Sequence, residues 1–236
     1  MVHHGVFSID LVMILIFFLI TLPYIFYQLK IYLNIKSNLK MSDYYIICII
    51  LTYLVIGGYQ QYFWTKNNKL RNPFVIQKTF IDDMITKNDI WVYVYNFIYY
   101  IIFGLIIITI KNYKEFAIKI LCAYILLTGL TIIWYLFPNI VPKRMDTNNY
   151  FFSKTKAIDK NLNNACPSAH VVFAVYSYYL LRNTIGNTIS ILIPILISFS
   201  CLKTSQHLFI DVILGIIYTI ICYNLILKKI FPLYFR

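Results

Sequence analysis

Seven apolar stretches of this chain are candidates to cross a bilayer, which leaves few other folds open to it. A hydrocarbon core about 30 Å thick is crossed by about 20 apolar residues in a helix. A backbone in lipid must also satisfy its own hydrogen bonds, as a helix does within one segment. The candidate spans run roughly Val6–Tyr27, Tyr44–Trp64, Ile90–Ile110, Phe116–Phe137 and Cys166–Arg182, then from the Asn183–Asn187 connector to Leu202, then His207–Leu227. Only 13% of the residues are charged and 60% are apolar, with a mean hydropathy of +0.70. A soluble domain carries about 25% charged residues. The expectation is an all-α, polytopic transmembrane helical bundle of about seven spans. No internal repeat and no low-complexity linker divides it.

The charges sit between the spans. Their sum is +12, from 21 basic and 9 acidic residues. In this setting the partners implied are the bilayer and a phosphorylated lipid head group, with no nucleic acid, and topology signalling accounts for much of the excess. Seven spans place the two chain ends on opposite sides. The connectors after spans 1, 3 and 5 and the tail Lys228-Lys229 then share one face; they are short, basic and nearly free of acids, which favours the cytoplasm. Two long polar stretches, Thr65–Asp89 and Pro138–Ala165, share the other face with the short connector Lys203–Gln206. The first of these is expected to be partly helical at the membrane surface. Asp10, Asp82 and Asp83 read as interfacial, solvated or helix-capping groups. Cys48, Cys122, Cys166, Cys201 and Cys222 show no disulfide or zinc spacing and read as small buried hydrophobes. The first apolar segment is too long for a cleavable signal peptide.

There are four histidines, and His3 and His4 are terminal. His170 follows Pro167-Ser168-Ala169 at the start of span 5, and His207 begins span 7, with Asp211 four residues on. If span 7 is helical from its first residue, His207 and Asp211 lie one turn apart on one face. The chain crosses twice between the histidines, so both return to the same side. Span 4 ends there too and delivers Lys143 and Arg144. Two imidazoles, a carboxylate, a serine and a basic pair thus converge at one end of a bundle. One imidazole can attack phosphorus and the other can protonate the leaving oxygen. Basic side chains and helix N-terminal amides, with Pro167 in the first turn, can stabilise charge on the phosphoryl oxygens. This chemistry needs no metal and no cofactor. Histidine–metal ligation is the alternative, but no third strong ligand stands at a recognisable spacing. A purely structural His–Asp pair is the other.

Pro167-Ser168-Ala169-His170 resembles the Pro-Ser-x-His motif of the type 2 phosphatidate phosphatase superfamily. Ser200–Asp211 resembles its third motif, and Thr204, Gln206, His207 and Asp211 match the Thr-x-Gln-His-x-x-x-Asp pattern of the branch that includes inositol phosphorylceramide synthases. Pro142-Lys143-Arg144 is similar to that branch's first motif, and Ile81–Ile85 to a segment preceding one of its spans. The resemblance covers roughly residues 45 to 228. It implies a six-helix lipid phosphatase core within residues 43–236, with residues 1–42 an additional helix and connector. It also implies His207 as the nucleophile that forms phosphohistidine, Asp211 as the group that orients and charges it, and His170 as general acid and then base. Arg144, Lys143, Ser168 and the Ala169 position would bind phosphate. The sequence departs from the family at Cys201, where an arginine is usual, and at Ala169, where a glycine is usual; Lys203 is the candidate for the missing charge. The implied activity is a lipid phosphate phosphatase at the non-cytoplasmic face. The alternatives are transfer of a head group to a lipid hydroxyl, and a non-catalytic lipid-binding or scrambling protein with this fold.

Overall fold

A computed structural model describes residues 21–32, 39–50, 72–110, 112–141, 148–153 and 163–232. It is mostly helical, as expected. The helices are α1 (Leu22–Tyr32), α2 (Met41–Ile50), the short α3 (Phe80–Met84), α4 (Val92–Thr109) and α5 (Tyr113–Leu136). They are followed by α6 (Ala169–Ile185), α7 (Asn187–Ser190), α8 (Leu192–Lys203) and α9 (Phe209–Cys222), which continues through a π-helical turn into α10 (Lys228–Ile230). Among the described residues, Glu115–Leu136 and Phe209–Ile230 are long and apolar enough to cross a membrane, and Met41–Ile50 and Asn187–Lys203 are shorter apolar helices. The expected first and second spans lie largely outside the described residues. α1 continues to Tyr32, five residues beyond the expected end of span 1.

Local chemistry sets the breaks. Asn112 caps α5 through the Glu115 amide, and Gly186 ends α6 at φ +86°, a left-handed conformation that a residue without Cβ adopts freely. The sixth apolar stretch divides at Ile191, between α7 and α8. Pro194 explains the division: it has no N–H to donate to Ser190, and its ring crowds that carbonyl.

α6 is the central element and packs against α4, α5, α8 and α9. It is buried on more than one side, through Val171, Val172, Val175, Tyr176, Leu180 and Leu181 among others. Tyr176 donates to the Lys119 carbonyl (2.6 Å) and Tyr218 to the Leu126 carbonyl (2.8 Å), tying α5 to α6 and α9. Gly129 makes room for the Tyr218 hydroxyl. Gly215 lets α9 approach α6: a Cβ there would stand 3.0 Å from the Ser168 carbonyl and 3.2 Å from Val171 Cβ. The outward sides of α8, α9 and the π-helical turn carry exposed Leu192, Ile195, Phe199, Ile217, Ile221 and Leu225, whereas Ser200, Thr204 and Thr219 face inward and bond to backbone carbonyls.

One feature departs from the all-α expectation. Phe74–Val75 (β1) and Asn139–Ile140 (β2) pair in parallel, with Phe74 opposite Asn139. The Phe74 and Ile76 amides donate to the carbonyls of Pro138 and Ile140 at 3.1 and 3.0 Å. The strands lie in the two long polar stretches, whose backbones have no helical partners at these points and satisfy each other.

Candidate active site

The stretch from Ser200 to Asp211 is a helix end, a turn and a helix start. α8 closes with a double bond pattern: the Ser205 amide donates to Leu202 O and the Gln206 amide to Cys201 O, both at 3.1 Å. Ser205 takes the left-handed conformation this ending requires, at φ +54°. The His207 amide also reaches Cys201 O, at 3.3 Å. α9 then starts after Leu208, whose amide donates to Asp211 Oδ2 at 2.8 Å, while the Phe209 amide donates to Asp82 Oδ1 at 2.7 Å. His207 therefore stands before the helix and not on its first turn, because the carboxylate four residues on is used as the helix cap.

That placement decides the state of the ring. His207 Nδ1 lies 2.9 Å from the Ala165 carbonyl and 3.6 Å from Asp211 Oδ2. A carbonyl oxygen only accepts, so Nδ1 carries a proton, and in the neutral ring Nε2 then carries the lone pair. The distance to Asp211 is too long for a hydrogen bond. The Ala165 carbonyl makes the nearer contact with the ring, and the carboxyl group of Asp211, fully buried, stands just beyond it. The Cys166 thiol lies beside this carboxylate.

His170 is the second residue of α6. Its ring centre is 5.7 Å from that of His207, with the planes inclined at 55°. Its Nδ1 is 3.2 Å from the Tyr95 hydroxyl, and the Tyr95 ring stacks on it at 4.0 Å. Ser168 caps α6 through the Val171 amide (3.5 Å), and its own amide donates to Asp211 O at 3.1 Å. Pro167 precedes the cap and is not the first helical residue. Its carbonyl accepts from Trp134 Nε1 at 3.2 Å. The Ala169 amide has no hydrogen-bond partner among the described residues.

Of the expected phosphate-binding residues, Lys143 and Arg144 lie outside the described residues. Val141, the last described residue before them, packs against the cluster of Ile76, Ala165 and Leu208. Ser168 is fully buried. Lys203 is half-buried in the last turn of α8, with Nζ 5.1 Å above the Phe199 ring. Cys201 is buried against the Ser168 side chain.

Sequence reasoning missed Tyr95, Lys87, Asn139 and the Ala165 carbonyl, which help to build this end of the molecule. Tyr95 holds His170. Asp82, expected to be a solvated or capping group, is buried and caps both its own helix at Thr79 and α9 at Phe209. Lys87 donates to Leu202 O at 3.2 Å, and the Asn88 amide to Lys203 O at 2.9 Å, fastening the first polar stretch to the end of α8. Burial lowers the Lys87 ammonium below the ordinary lysine range, against the opposing pull of Asp82. Asn139 accepts from the Cys166 amide at 2.6 Å and donates to the carbonyls of Cys166 and Phe137 at 2.9 and 2.8 Å. Its backbone carbonyl also accepts from the Ala165 amide. Asn139 thus fixes the peptide whose own carbonyl, Ala165 O, bonds to His207. Asn139→Ala is expected to lower stability by about 2–4 kcal/mol, since it strips buried backbone groups of their partners; thermal unfolding in detergent measures it.

Gln206, beside His207, is 1% exposed, and both polar atoms of its amide lack a partner among the described residues. Also among the described residues, no group of three or more His, Cys, Asp or Glu side chains is placed to hold a metal ion.

A family model described as the PAP2 superfamily matches residues 73–225. The match runs from the strand at Phe74 through α9 and leaves α1, α2 and α10 outside it. No curated protein and no solved structure matches the chain.

Proposed function

Because the chain belongs to the PAP2 superfamily, we propose that it is a membrane-embedded phosphatase of lipid phosphates working through a phosphohistidine at His207. Membership carries phosphatase-type chemistry at the coarse level. The observation that supports the finer reading is the pinned His207 ring: with the Nδ1 proton held by Ala165 O, the free Nε2 lone pair lies near a second imidazole.

In this mechanism His207 Nε2 attacks phosphorus and forms a P–N bond as the P–O bond to the lipid breaks. Protonated His170 gives its proton to the departing oxygen. Water then attacks the phosphohistidine, passes a proton to the now neutral His170, and the P–N bond breaks. The imidazolium character that develops on His207 is stabilised by Asp211, 3.6 Å away. Lys143, Arg144 and the amide of Ala169 are the groups proposed to hold the phosphoryl oxygens, with Lys203 and the hydroxyl of Ser168 as further candidates. Transfer to a lipid hydroxyl is the second reading. It is favoured by Cys201 in place of an arginine, and Gln206 offers an amide able to hold a neutral hydroxyl.

Apolar outer faces with polar residues turned inward are the arrangement lipid imposes, which supports placement of the bundle in a bilayer. Seven spans with the site at the extracytoplasmic face is the proposed topology. Cysteines introduced at Lys36 and Lys154 are expected to be labelled by an impermeant thiol reagent from opposite sides; labelling from one side would break the seven-span count. For the activity, purified protein presented with a panel of lipid phosphates in mixed micelles is expected to release inorganic phosphate or transfer a phosphoryl head group. No release and no transfer from any lipid would overturn the enzymatic reading and leave lipid binding or scrambling.

A further inference from the structure

We infer that Tyr95 is the residue that fixes which nitrogen of His170 moves protons. This rests on the proposed acid–base role of His170 and goes beyond it in naming the atom that works and the residue that selects it. Tyr95 lies in the first turn of α4, at the end of the bundle where His170 begins α6, and it is 2% exposed. Two contacts join the rings: hydroxyl to Nδ1 at 3.2 Å, and a face-to-face stack at 4.0 Å with planes 22° apart.

Proton bookkeeping gives the hydroxyl its role. As an acid, His170 is an imidazolium with hydrogen on both nitrogens, so the tyrosine oxygen can only accept from Nδ1–H. Once Nε2 has given its proton to the leaving oxygen, the neutral ring keeps the Nδ1 proton, and the same bond persists. The following step returns a proton from the attacking water to Nε2. The Nδ1–H···O bond is present in both charge states, so neither transfer requires the ring to turn or change tautomer. The stacked ring blocks rotation and presents its π-face to the cation. Tyr95 acts through the His170 ring and is a positioning residue.

Tyr95→Phe keeps the stack and removes the oxygen. General-acid assistance matters most for a poor leaving group, so two substrates separate positioning from folding. One is a long-chain alkyl phosphate, whose alkoxide needs protonation; the other is a nitrophenyl phosphate ester of matched chain length, whose phenolate leaves unaided. kcat/KM is read because it ends at leaving-group departure. Tyr95→Phe is expected to lower kcat/KM for the alkyl ester about tenfold or more and to leave the nitrophenyl ester within about twofold. In a His170→Gln background, Tyr95→Phe is expected to add no further loss. An equal loss on both substrates, or a full additional loss without His170, would overturn the assignment. Wild type that turns over neither ester would instead refute the phosphatase reading itself.

Discussion

His207→Ala is expected to reduce phosphate release to the rate of buffer while leaving the fold intact. The ring's one hydrogen bond among the described residues goes to Ala165 O, whose own peptide is held independently by Asn139. The turn around His207 is likewise held by backbone bonds to Cys201 O and Leu202 O and by the two carboxylate caps, none of which uses the imidazole. Truncation therefore removes the attacking atom and little else. Loss of the nucleophile closes the covalent route, since in this mechanism the remaining imidazole, His170, serves as the acid of the first step and not as its nucleophile. Thermal unfolding within a few degrees of wild type, alongside complete loss of turnover, is the paired result expected.

His170→Gln is expected to show a different pattern. It should lower kcat/KM for an alkyl phosphate by about 10²–10⁴-fold, the range of a lost general acid, and much less for an activated ester. It also removes the base for the second half-reaction. With an activated ester the phosphoenzyme should therefore form and persist, where in wild type it turns over. A rapid-mixing experiment that follows nitrophenolate release should show a burst of one equivalent per protein followed by a slow steady rate. A uniform loss on every substrate with no burst would remove His170 from the proton-transfer role.

Much of this site was legible in the chain because its signals are local. Cys166–His170 and Ser200–Asp211 each hold their chemistry within a dozen residues, and the helices between them, α6 running away and α8 returning, bring His170 and His207 to one end. The structure places those rings 5.7 Å apart. The reading failed where two local rules competed. Asp211 suits a helix-borne partner for His207 and also suits the third position of a capping box, and the cap prevails, moving His207 off the helix. Ala165 could not be found at all, because what it contributes is a carbonyl oxygen that every residue has. Tyr95 is one of 22 tyrosines in a chain rich in them, and only its contact with His170 sets it apart. Asn139 and Asp82 were seen as connector residues; their work is to satisfy backbone groups in segments 27 and 127 residues away, which spacing does not encode. The parallel pairing of Phe74–Val75 with Asn139–Ile140 was hidden for the same reason: two residues per strand leave no periodicity to read.

The central claim is a covalent phosphoryl group on His207. Purified protein is mixed with a lipid labelled in its phosphate, quenched within milliseconds in alkali, and digested for peptide mapping; the His170→Gln variant extends the lifetime of the adduct. The account predicts protein-bound label that is stable to alkali, released by acid and confined to the peptide containing His207, and absent in His207→Ala. Turnover of the lipid with no protein-bound phosphate at any time, or label on a different residue, would contradict it.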